Sequence, residues 1–226
     1  VIETSGEDPY LTSVMIEGVV RGFQGKDLRD KESLVACAKH FCGYAAAEGG
    51  RDYNTTDFSE NTLHNTILPP FKAAIDAGVQ SFMSGFNDLG GTPVSGSKEL
   101  IQGWLKDEQG FDGLVVSDWG SIADLAYFGF AKDEEEAAEK AMNAGVDMAM
   151  THEHYEDHMQ TLLDEGRVSE ERLNEAVSRI LTVKFRAGLF ENPYVDESLS
   201  QKVLRREDHV AKALELATQT LVLLKN

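Results

Sequence analysis

The stretch GFDGLVVSDWGSI at residues 110–122 joins an apolar run to an abrupt polar end. The run LVV (114–116) is short and continuous, a pattern that predicts a parallel strand covered on both faces. It stops at SDWG (117–120), where a carboxylate and an indole stand side by side. A buried strand with such an end predicts an α/β sheet whose strand ends carry the functional groups.

The same alternation of apolar runs and amphipathic segments continues along the chain. Helices are predicted between and around the strands, the first starting at Asp8-Pro9 and the last covering residues 207–224. Two shorter helices are expected within residues 59–77, because Pro69-Pro70 interrupts that segment. Alternating strands and helices are typical of βαβ units, and therefore of an α/β fold with a parallel sheet. The predicted strands cover residues 34–41, 78–87, 113–118 and 145–150.

Capping residues and apolar spacing predict where the helices lie and which faces they bury. Asp8, Asp133 and Ser169 stand where helices are expected to begin, and Gly145 where one ends. The apolar face of the first helix is expected to consist of Leu11, Val14, Met15 and Val19. In the helix after Ser169, the residues at helical spacing are Leu173, Val177, Ile180, Leu181 and Lys184.

Composition limits the classes of partner. The 226 residues carry a formal net charge of −18, which disfavours nucleic acid because phosphate backbones are repelled. No apolar run approaches the ~18 residues of a membrane span, so no membrane partner is expected. No GxGxxG or P-loop motif follows a strand, so no nucleotide site is supported, and no cofactor is expected. Cys37 and Cys42 are five residues apart, so in a strand their side chains point to opposite faces; no disulfide is expected between them, and both are expected to be buried thiols.

Polar or aromatic residues stand at or just past the end of each predicted strand. They are Lys39-His40, Phe86-Asn87, Asp118-Trp119 and, after residue 150, His152 and His154. In a parallel barrel or at the switch point of a doubly wound sheet, the carboxyl ends of the strands gather the functional groups. Two of these pairs also have an ordinary structural interpretation. Lys39-His40 could be a solvated strand end, Asp118 could cap the next helix, and Trp119 could be a core residue.

Several motifs together resemble glycoside hydrolase family 3, with the closest similarity to bacterial β-glucosidases. The matches are collinear and cover nearly the whole chain. They are GEDPYL (6–11), KHF (39–41), EGGRDYNTTDFSENTL (48–63), LPPFKAAIDAG (68–78), GFDGLVVSDWG (110–120) and LVLLKN (221–226). The resemblance implies the C-terminal part of a (β/α)8 TIM-type barrel, incomplete in this chain, together with the start of a linker to a second domain.

The resemblance also assigns roles to residues. It implies that Asp118 is the nucleophile, that Lys39 and His40 bind hydroxyls of the sugar, and that Trp119 walls the subsite. Retaining glycosidases attack the anomeric carbon with one carboxylate while a second carboxyl protonates the leaving oxygen. The expected activity is retaining hydrolysis of terminal β-D-glucosyl residues through a covalent glycosyl-aspartate intermediate.

Further contacts are expected around these groups. Met83 and Phe86 are predicted to bind substrate, and Phe86 departs from the family, in which a tyrosine is usual, so that a hydroxyl near the nucleophile is lost. Arg51 and Asp52 are predicted loop contacts, although packing is an equally fair interpretation of their loop.

The resemblance predicts a division at residue 189, with a partial barrel at 1–189 and a linker with a connecting helix at 190–226. The family's acid/base comes from a second α/β domain, and earlier barrel strands complete its sugar site. We therefore expect a small carbohydrate substrate, and further barrel strands and a C-terminal domain outside this chain or on other chains. A periplasmic or secreted location is favoured over a cytoplasmic one.

Other functions remain open from the sequence. Within the family, a β-xylosidase or arabinosidase is an alternative. A metal-dependent hydrolase could use His152 and His154, with His158 nearby, but the preferred prediction has no metal and places these histidines in an exposed loop or helix start. A non-catalytic sugar-binding module is the third alternative, because the proton donor is expected elsewhere.

Overall fold

The computed structural model of the protein describes residues 4–151 and 154–226. The chain divides into two compact units, Val1–Glu191 and Asn192–Asn226. Unit 1 holds all the strands described below. The interpretation of residues 190–226 as a linker toward another domain stays a prediction.

Helical segments separate the strands of the parallel sheet in unit 1, as predicted, and a separate two-stranded antiparallel pair follows the second of these strands. The strands are β1 (Cys37–Phe41), β2 (Ser81–Ser84), β3 (Asp88–Leu89), β4 (Thr92–Pro93) and β5 (Leu114–Val116). The helices are α1 (Pro9–Gln24), α2 (Glu60–Thr62), α3 (Leu68–Asp76), α4 (Asp124–Tyr127), α5 (Glu134–Ala144), α6 (His154–Asp164) and α7 (Glu170–Arg186). Leu63–Ile67 and Glu99–Glu108 are π-helical, and short 3₁₀ turns occupy Tyr44–Ala46, Glu48–Gly50 and Val94–Gly96.

The main sheet is parallel, with the strand order β1-β2-β5. Ala38 pairs with Phe82, and Phe82 pairs with Val115. The peptide bonds Lys39-His40 and Phe41-Cys42 are cis, and the pairing of β1 with β2 shifts between Ala38 and Phe41. Three neighbouring parallel strands joined through helices agree with the predicted α/β fold.

The strand predicted at residues 145–150 is not a strand in the structure. Only one bridge, Val116 to Met148, joins this segment to β5. The reason is local: the Val115 N–H donates to the side chain of Asp147 rather than to a main-chain carbonyl. The segment therefore runs beside β5 without forming a regular ladder.

The capping predictions are confirmed. The side chains of Asp8, Asp133 and Ser169 each accept the N–H three residues on, at 2.7, 2.9 and 3.1 Å respectively. Gly145 ends α5 in the left-handed region, with φ of 111°. These short polar residues satisfy amides that have no acceptor within the first helical turn.

The predicted apolar face of α1 was wrong. Its buried residues are Val20 and Gln24. Gln24 is buried because its amide donates to Gly78 O at 2.8 Å and its oxygen accepts from Ala36 N and Gln80 N at 3.3 and 3.2 Å. A polar side chain that joins the approaches to β1 and β2 thus faces inward. The predicted residues Leu11, Val14, Met15 and Val19 are exposed.

Two further helix predictions need correction. Residues 60–76 form one continuous helical path, because Pro69 and Pro70 lie in the first turn of α3, where a missing N–H is tolerated. In α7, Val177 and Leu181 are exposed and Ala176 and Val183 are buried. The smaller side chains Ala176 and Val183 allow α7 to pack closely against its neighbours. A prediction based on hydrophobicity selects the larger apolar residues instead.

The core lies between the sheet and the surrounding helices. Phe41 and Phe82 meet edge to face with ring centroids 5.7 Å apart, and Phe82 meets Phe111 at 4.8 Å. Trp104 stacks on Phe41 from the π-helical segment Glu99–Glu108. A second, smaller cluster joins α5, α6 and α7 through Ala138, Met142, Leu162, Val168 and Ala176. These clusters fix the strand ends against the helices.

The two cysteines differ in burial. Both thiols are free; Cys42 is buried as predicted, whereas Cys37 is exposed. Alternate residues of β1 point to opposite faces of the sheet, and Ala38, not Cys37, faces the core. Burial raises the pKa of the Cys42 thiol to about 12.

Unit 2 contains the helices α8 (Leu199–Val203) and α9 (Glu207–Gln219). Its apolar side chains, such as Val210 and Leu214, are exposed. Across residues 4–151 and 154–226, no helix has both the length and the apolar character needed to cross a membrane.

A chain of buried hydroxyl groups links the ends of the strands. Ser84 Oγ, at the end of β2, lies 2.8 Å from Ser95 Oγ. Ser95 Oγ lies 2.9 Å from Ser121 Oγ, in the loop that follows β5. All three residues are buried. The middle serine therefore bonds to both of the others.

We expect Gly113→Ala to lower the free energy of unfolding by about 3 kcal/mol, because overpacking against backbone has no cheap relief. A Cβ at Gly113 would lie 2.2 Å from the main-chain oxygen of Gln80. The control is Gly18→Ala in α1, where nothing lies within 4 Å. The control should raise stability by about 0.5–1 kcal/mol through the reduced entropy of the unfolded chain. Urea unfolding followed by circular dichroism measures both, and equal effects would contradict the packing described.

We expect Ser95→Ala to destabilise the protein more than Ser121→Ala. Removing the middle hydroxyl leaves two buried hydroxyls without their partner, at a cost of about 1–3 kcal/mol each. Removing the Ser121 hydroxyl leaves the Ser84–Ser95 bond in place. Thermal unfolding of both variants tests this ranking; a larger loss for Ser121→Ala would show that the chain of hydroxyls is not the important feature.

Candidate active site

Asp118 lies two residues after the end of β5 and is held by its own loop. Its Oδ1 accepts the Trp119 N–H at 2.6 Å. Its main-chain oxygen accepts the Ser117 hydroxyl at 3.0 Å and the Ser121 N–H at 3.1 Å. The second carboxylate oxygen, Oδ2, is buried and accepts no hydrogen bond from the residues that the structure describes. One oxygen of Asp118 is thus anchored, and the other is left for a ligand.

Lys39 and His40 meet this second oxygen. His40 Nε2 lies 3.3 Å from Asp118 Oδ2, with both side chains about nine-tenths buried. Lys39 Nζ lies 3.1 Å from the same imidazole nitrogen. An imidazole nitrogen that accepts a hydrogen bond from the Lys39 ammonium carries no proton of its own. His40 Nε2 in that state makes a close contact with the Asp118 carboxylate but donates no hydrogen bond to it. The structure therefore brings together three of the predicted residues.

Trp119 is 66% exposed beside the carboxylate. It is not a core residue, so that alternative interpretation fails. Asp118 is also not a helix cap, because the next helix, α4, begins at Asp124. An exposed indole next to a buried carboxylate offers a flat apolar surface to a ligand that reaches Asp118.

A row of aromatic rings leads away from the carboxylate. His40 and Tyr44 have ring centroids 5.2 Å apart, Tyr44 and Phe86 5.9 Å, and Phe86 and Tyr53 4.6 Å. The predicted residue Phe86 thus belongs to this wall. Tyr44 and Tyr53 were missed, although the tyrosines in the loop after KHF were a visible signal.

The loop with Arg51 and Asp52 borders this wall. Both residues are exposed, and the loop is closed by the Glu48 N–H, which donates to Thr55 O at 2.9 Å. The pKa of the Tyr44 hydroxyl is raised, chiefly by burial and further by the carboxylate of Asp52. Asp52 therefore faces the aromatic wall, whereas Arg51 lies on the exposed part of the loop.

Met83 and Asn87 belong to the β2 side of the site. Met83 is half-buried, pairs with Val116 of β5, and faces away from the core side chain of Phe82. Asn87 is buried and was not assigned a role in advance. Its amide donates to Cys42 O at 3.2 Å, and so ties the end of β1 to the end of β2.

The histidines of the metal alternative do not form a site in the described residues. His152 lies outside those residues. His154 begins α6 but is buried, so the expected exposure was wrong; its Nδ1 lies 3.7 Å from Glu134. Within residues 4–151 and 154–226, no group of three or more His, Cys, Asp or Glu side chains could hold a metal ion.

Comparisons with known proteins identify related sequences. The model of the glycosyl hydrolase family 3 N-terminal domain matches residues 2–183. A "Periplasmic beta-glucosidase" of Salmonella typhimurium is 41% identical over 234 residues, which cover 99% of this chain and 30% of that protein. A "Putative beta-xylosidase" of Formosa agariphila is 36% identical, with coverage of 99% and 30%. The chain thus spans about a third of the length of the curated relatives it matches.

Solved structures agree with these relatives. A β-glucosidase from Listeria innocua in complex with isofagomine has a TM-score of 0.96 and 38% identity, covering 100% of this chain and 32% of that one. A β-glucosidase from Erythrobacter marinus has a TM-score of 0.91 and 33% identity, covering 98% and 30%. The predicted α/β barrel fold is therefore confirmed. The chain belongs to glycosyl hydrolase family 3, and residues 2–183 correspond to the N-terminal domain of that family.

Proposed function

We propose that the full-length protein hydrolyses β-glycosides with retention of configuration, and that Asp118 is the nucleophile. The observation that carries this proposal is Asp118 Oδ2, a buried carboxylate oxygen close to a strand end that accepts no hydrogen bond from the described residues and lies 3.3 Å from His40 Nε2. Such an oxygen is poorly solvated and rigidly placed, as a nucleophile must be. The names of the relatives, β-glucosidases and β-xylosidases, support the same chemistry.

The two carboxylate oxygens of Asp118 have different roles in this proposal. Oδ1 stays on the Trp119 N–H, while Oδ2 forms the bond to the anomeric carbon. The bond from that carbon to the glycosidic oxygen breaks, and the leaving oxygen takes a proton from a carboxylic acid. Water then cleaves the glycosyl ester and restores the carboxylate. As the family resemblance implies, the acid belongs to a further domain.

The neighbouring side chains fit a sugar. His40 Nε2 lies beside Asp118 Oδ2 and Lys39 Nζ lies beside His40, so these two side chains can form hydrogen bonds with hydroxyls of the bound ring. The exposed indole of Trp119 can cover an apolar face of that ring. Tyr53 and Phe86 continue the aromatic wall beyond Tyr44, where a further part of the substrate can pack.

The substrate we propose is a terminal β-D-glucoside, with a β-D-xyloside as the second candidate. Both kinds of name occur among the relatives. A glucoside and a xyloside differ only by the exocyclic hydroxymethyl group. The name of the Salmonella relative supports a periplasmic location, which we propose for this protein as well.

We expect Asp118→Asn in the full-length protein to lower turnover by several orders of magnitude, because an amide cannot act as the covalent nucleophile. The fold should persist, since size and shape are kept. The control is Asp112→Asn, which removes an exposed ion pair with Arg186 and should leave turnover within about twofold. Release of nitrophenol from a nitrophenyl β-D-glucoside measures both. Near-normal activity of the Asp118 variant would rule out its role.

A panel of nitrophenyl glycosides tests the substrate. We expect the highest kcat/KM with the β-D-glucoside, and a loss of about 10–200-fold when the exocyclic carbon is absent, as is usual for small groups in a pocket. A higher value with the β-D-xyloside would favour the second candidate. Binding of sugars without turnover of any member of the panel would favour a non-catalytic module.

A further inference from the structure

Asp147 carries a fully buried carboxylate that three groups bind at once. Lys106 Nζ and Arg172 Nη2 lie 2.8 and 2.7 Å from Oδ1 of Asp147. The main-chain N–H of Val115, in β5, donates to Oδ2 at 2.8 Å. The side chains of Asp147 and Lys106 are 0% and 1% exposed. Two cations and an amide bound to its oxygens hold this carboxylate in one orientation. Its hydrogen bond to the Val115 N–H in turn holds β5 in place.

The charges around Lys106 come from several elements. Glu175 of α7 lies 3.7 Å from Lys106 Nζ and also binds Arg172 and Arg179, at 3.2 and 2.7 Å. The Tyr155 hydroxyl, from α6, donates to Val146 O. The charges of Arg172 and Asp147 act on this hydroxyl as well. We call Lys106, Asp147, Arg172, Glu175 and Arg179 the Asp147 cluster.

Within the Asp147 cluster, the pKa of Lys106 is lowered from its usual value. Burial lowers the pKa of its ammonium to about 8, although the neighbouring Asp147 carboxylate opposes that shift. Lys106 therefore loses its proton at mildly alkaline pH, and among the described residues the Asp147 carboxylate then keeps one cationic partner, Arg172.

The Asp147 segment binds β5 close to Asp118. Val115 O accepts the N–H groups of Asp147 and Met148, at 2.8 and 3.1 Å. Met148 O accepts the Ser117 N–H at 2.9 Å. Together with the side-chain bond to Val115 N, these contacts hold both the amide and the carbonyl of a residue only three positions before Asp118. Any slip of β5 along its axis is resisted here.

Stability alone does not account for such a cluster. Buried ion pairs are often no more stabilising than apolar residues of similar volume, because desolvation offsets the attraction. They do fix geometry, and a nucleophile must lie within a fraction of an ångström of its line of attack. We propose that Asp147 is a positioning residue for Asp118, and that Lys106 and Arg172 hold Asp147 in place. This inference rests on the proposed function of Asp118.

The test measures how fast Asp118 is glycosylated in the full-length protein. The reagent is 2,4-dinitrophenyl 2-deoxy-2-fluoro-β-D-glucoside: the Asp118 oxygen bonds to the anomeric carbon, and dinitrophenolate leaves with the electron pair. This leaving group needs little protonation, so the acid's own ionisation does not limit the rate. Mass spectrometry of the labelled peptide gives the rate constant at saturating reagent.

We expect the rate constant of the unmodified protein to fall about tenfold between about pH 7 and about pH 9.5, as Lys106 loses its proton and Asp118 is less well placed. The Lys106→Arg variant keeps its charge and should show no such fall. At about pH 7, Lys106→Met should react about tenfold more slowly, with the final labelled fraction unchanged. The control Lys72→Met, in an exposed ion pair with Asp76, should behave like the unmodified protein.

Unfolding would not produce this pattern. Between pH about 8 and 10.5, the unfolded chain keeps a proton that folded Lys106 has lost. The contribution of this residue to the free energy of unfolding therefore rises with pH in that window. A slower reaction over the same window does not then come from unfolding, which a melting curve recorded at each pH verifies, and its absence in Lys106→Arg assigns it to Lys106.

The outcomes separate the two proposals. If Asp118 of the unmodified protein is not labelled at any pH, the proposed function is wrong. If Asp118 is labelled, but its rate constant changes neither with pH nor in Lys106→Met, the positioning role is overturned and the proposed function stands. If Lys106→Met does not fold, the comparison of the unmodified protein with Lys106→Arg decides: equal pH profiles overturn the positioning role.

Discussion

The hydrogen bonds along both edges of β5 determine where the Asp118 carboxylate lies. On one edge, β5 pairs in register with β2 through residues 114–116. On the other, it is bound by the segment around Asp147 and Met148. Successive N–H and C=O groups of a parallel strand point alternately to its two neighbours. Each edge of β5 therefore binds a different set of its backbone groups. The loop after β5 then needs only the bonds at Trp119 and Ser121 to orient the side chain.

The protein is acidic overall, yet basic side chains lie next to Asp118 and Asp147. The net charge of −18 is a property of the whole sequence, whereas the groups next to Asp118 and Asp147 include Lys39, His40, Lys106 and Arg172. Some of the 21 lysines and arginines are thus placed where a carboxylate is held in a defined position. A neutral, hydroxyl-rich ligand is compatible with both features, since it is neither repelled by the surface nor in need of a counter-ion.

The sequence predicted the elements that depend on local chemistry. Capping by Asp8, Asp133 and Ser169 is decided within four residues, so it was readable in advance. The end of β5 was readable because an apolar run stops there. The meeting of Asp118 with His40 was expected only because parallel strand ends gather at one edge.

Features that depend on partners distant in sequence were not readable. The burial of Gln24 requires main-chain groups more than fifty residues away, near Gly78 and Gln80. The reduction of residues 145–150 to one bridge depends on which group accepts the Val115 N–H. Tyr44 joined the wall through ring contacts with two other segments, which helical or strand periodicity cannot reveal.

Gln24 illustrates how much can depend on one atom. Its side-chain nitrogen donates to Gly78 O, while its oxygen accepts two amides at the approaches to β1 and β2. A glutamate has the same length and nearly the same shape, and it would keep both amides. It would place a second acceptor against the carbonyl of Gly78, where a donor is required. At this position, a substitution that ordinary similarity scales rate as mild would therefore separate α1 from the two strands it connects.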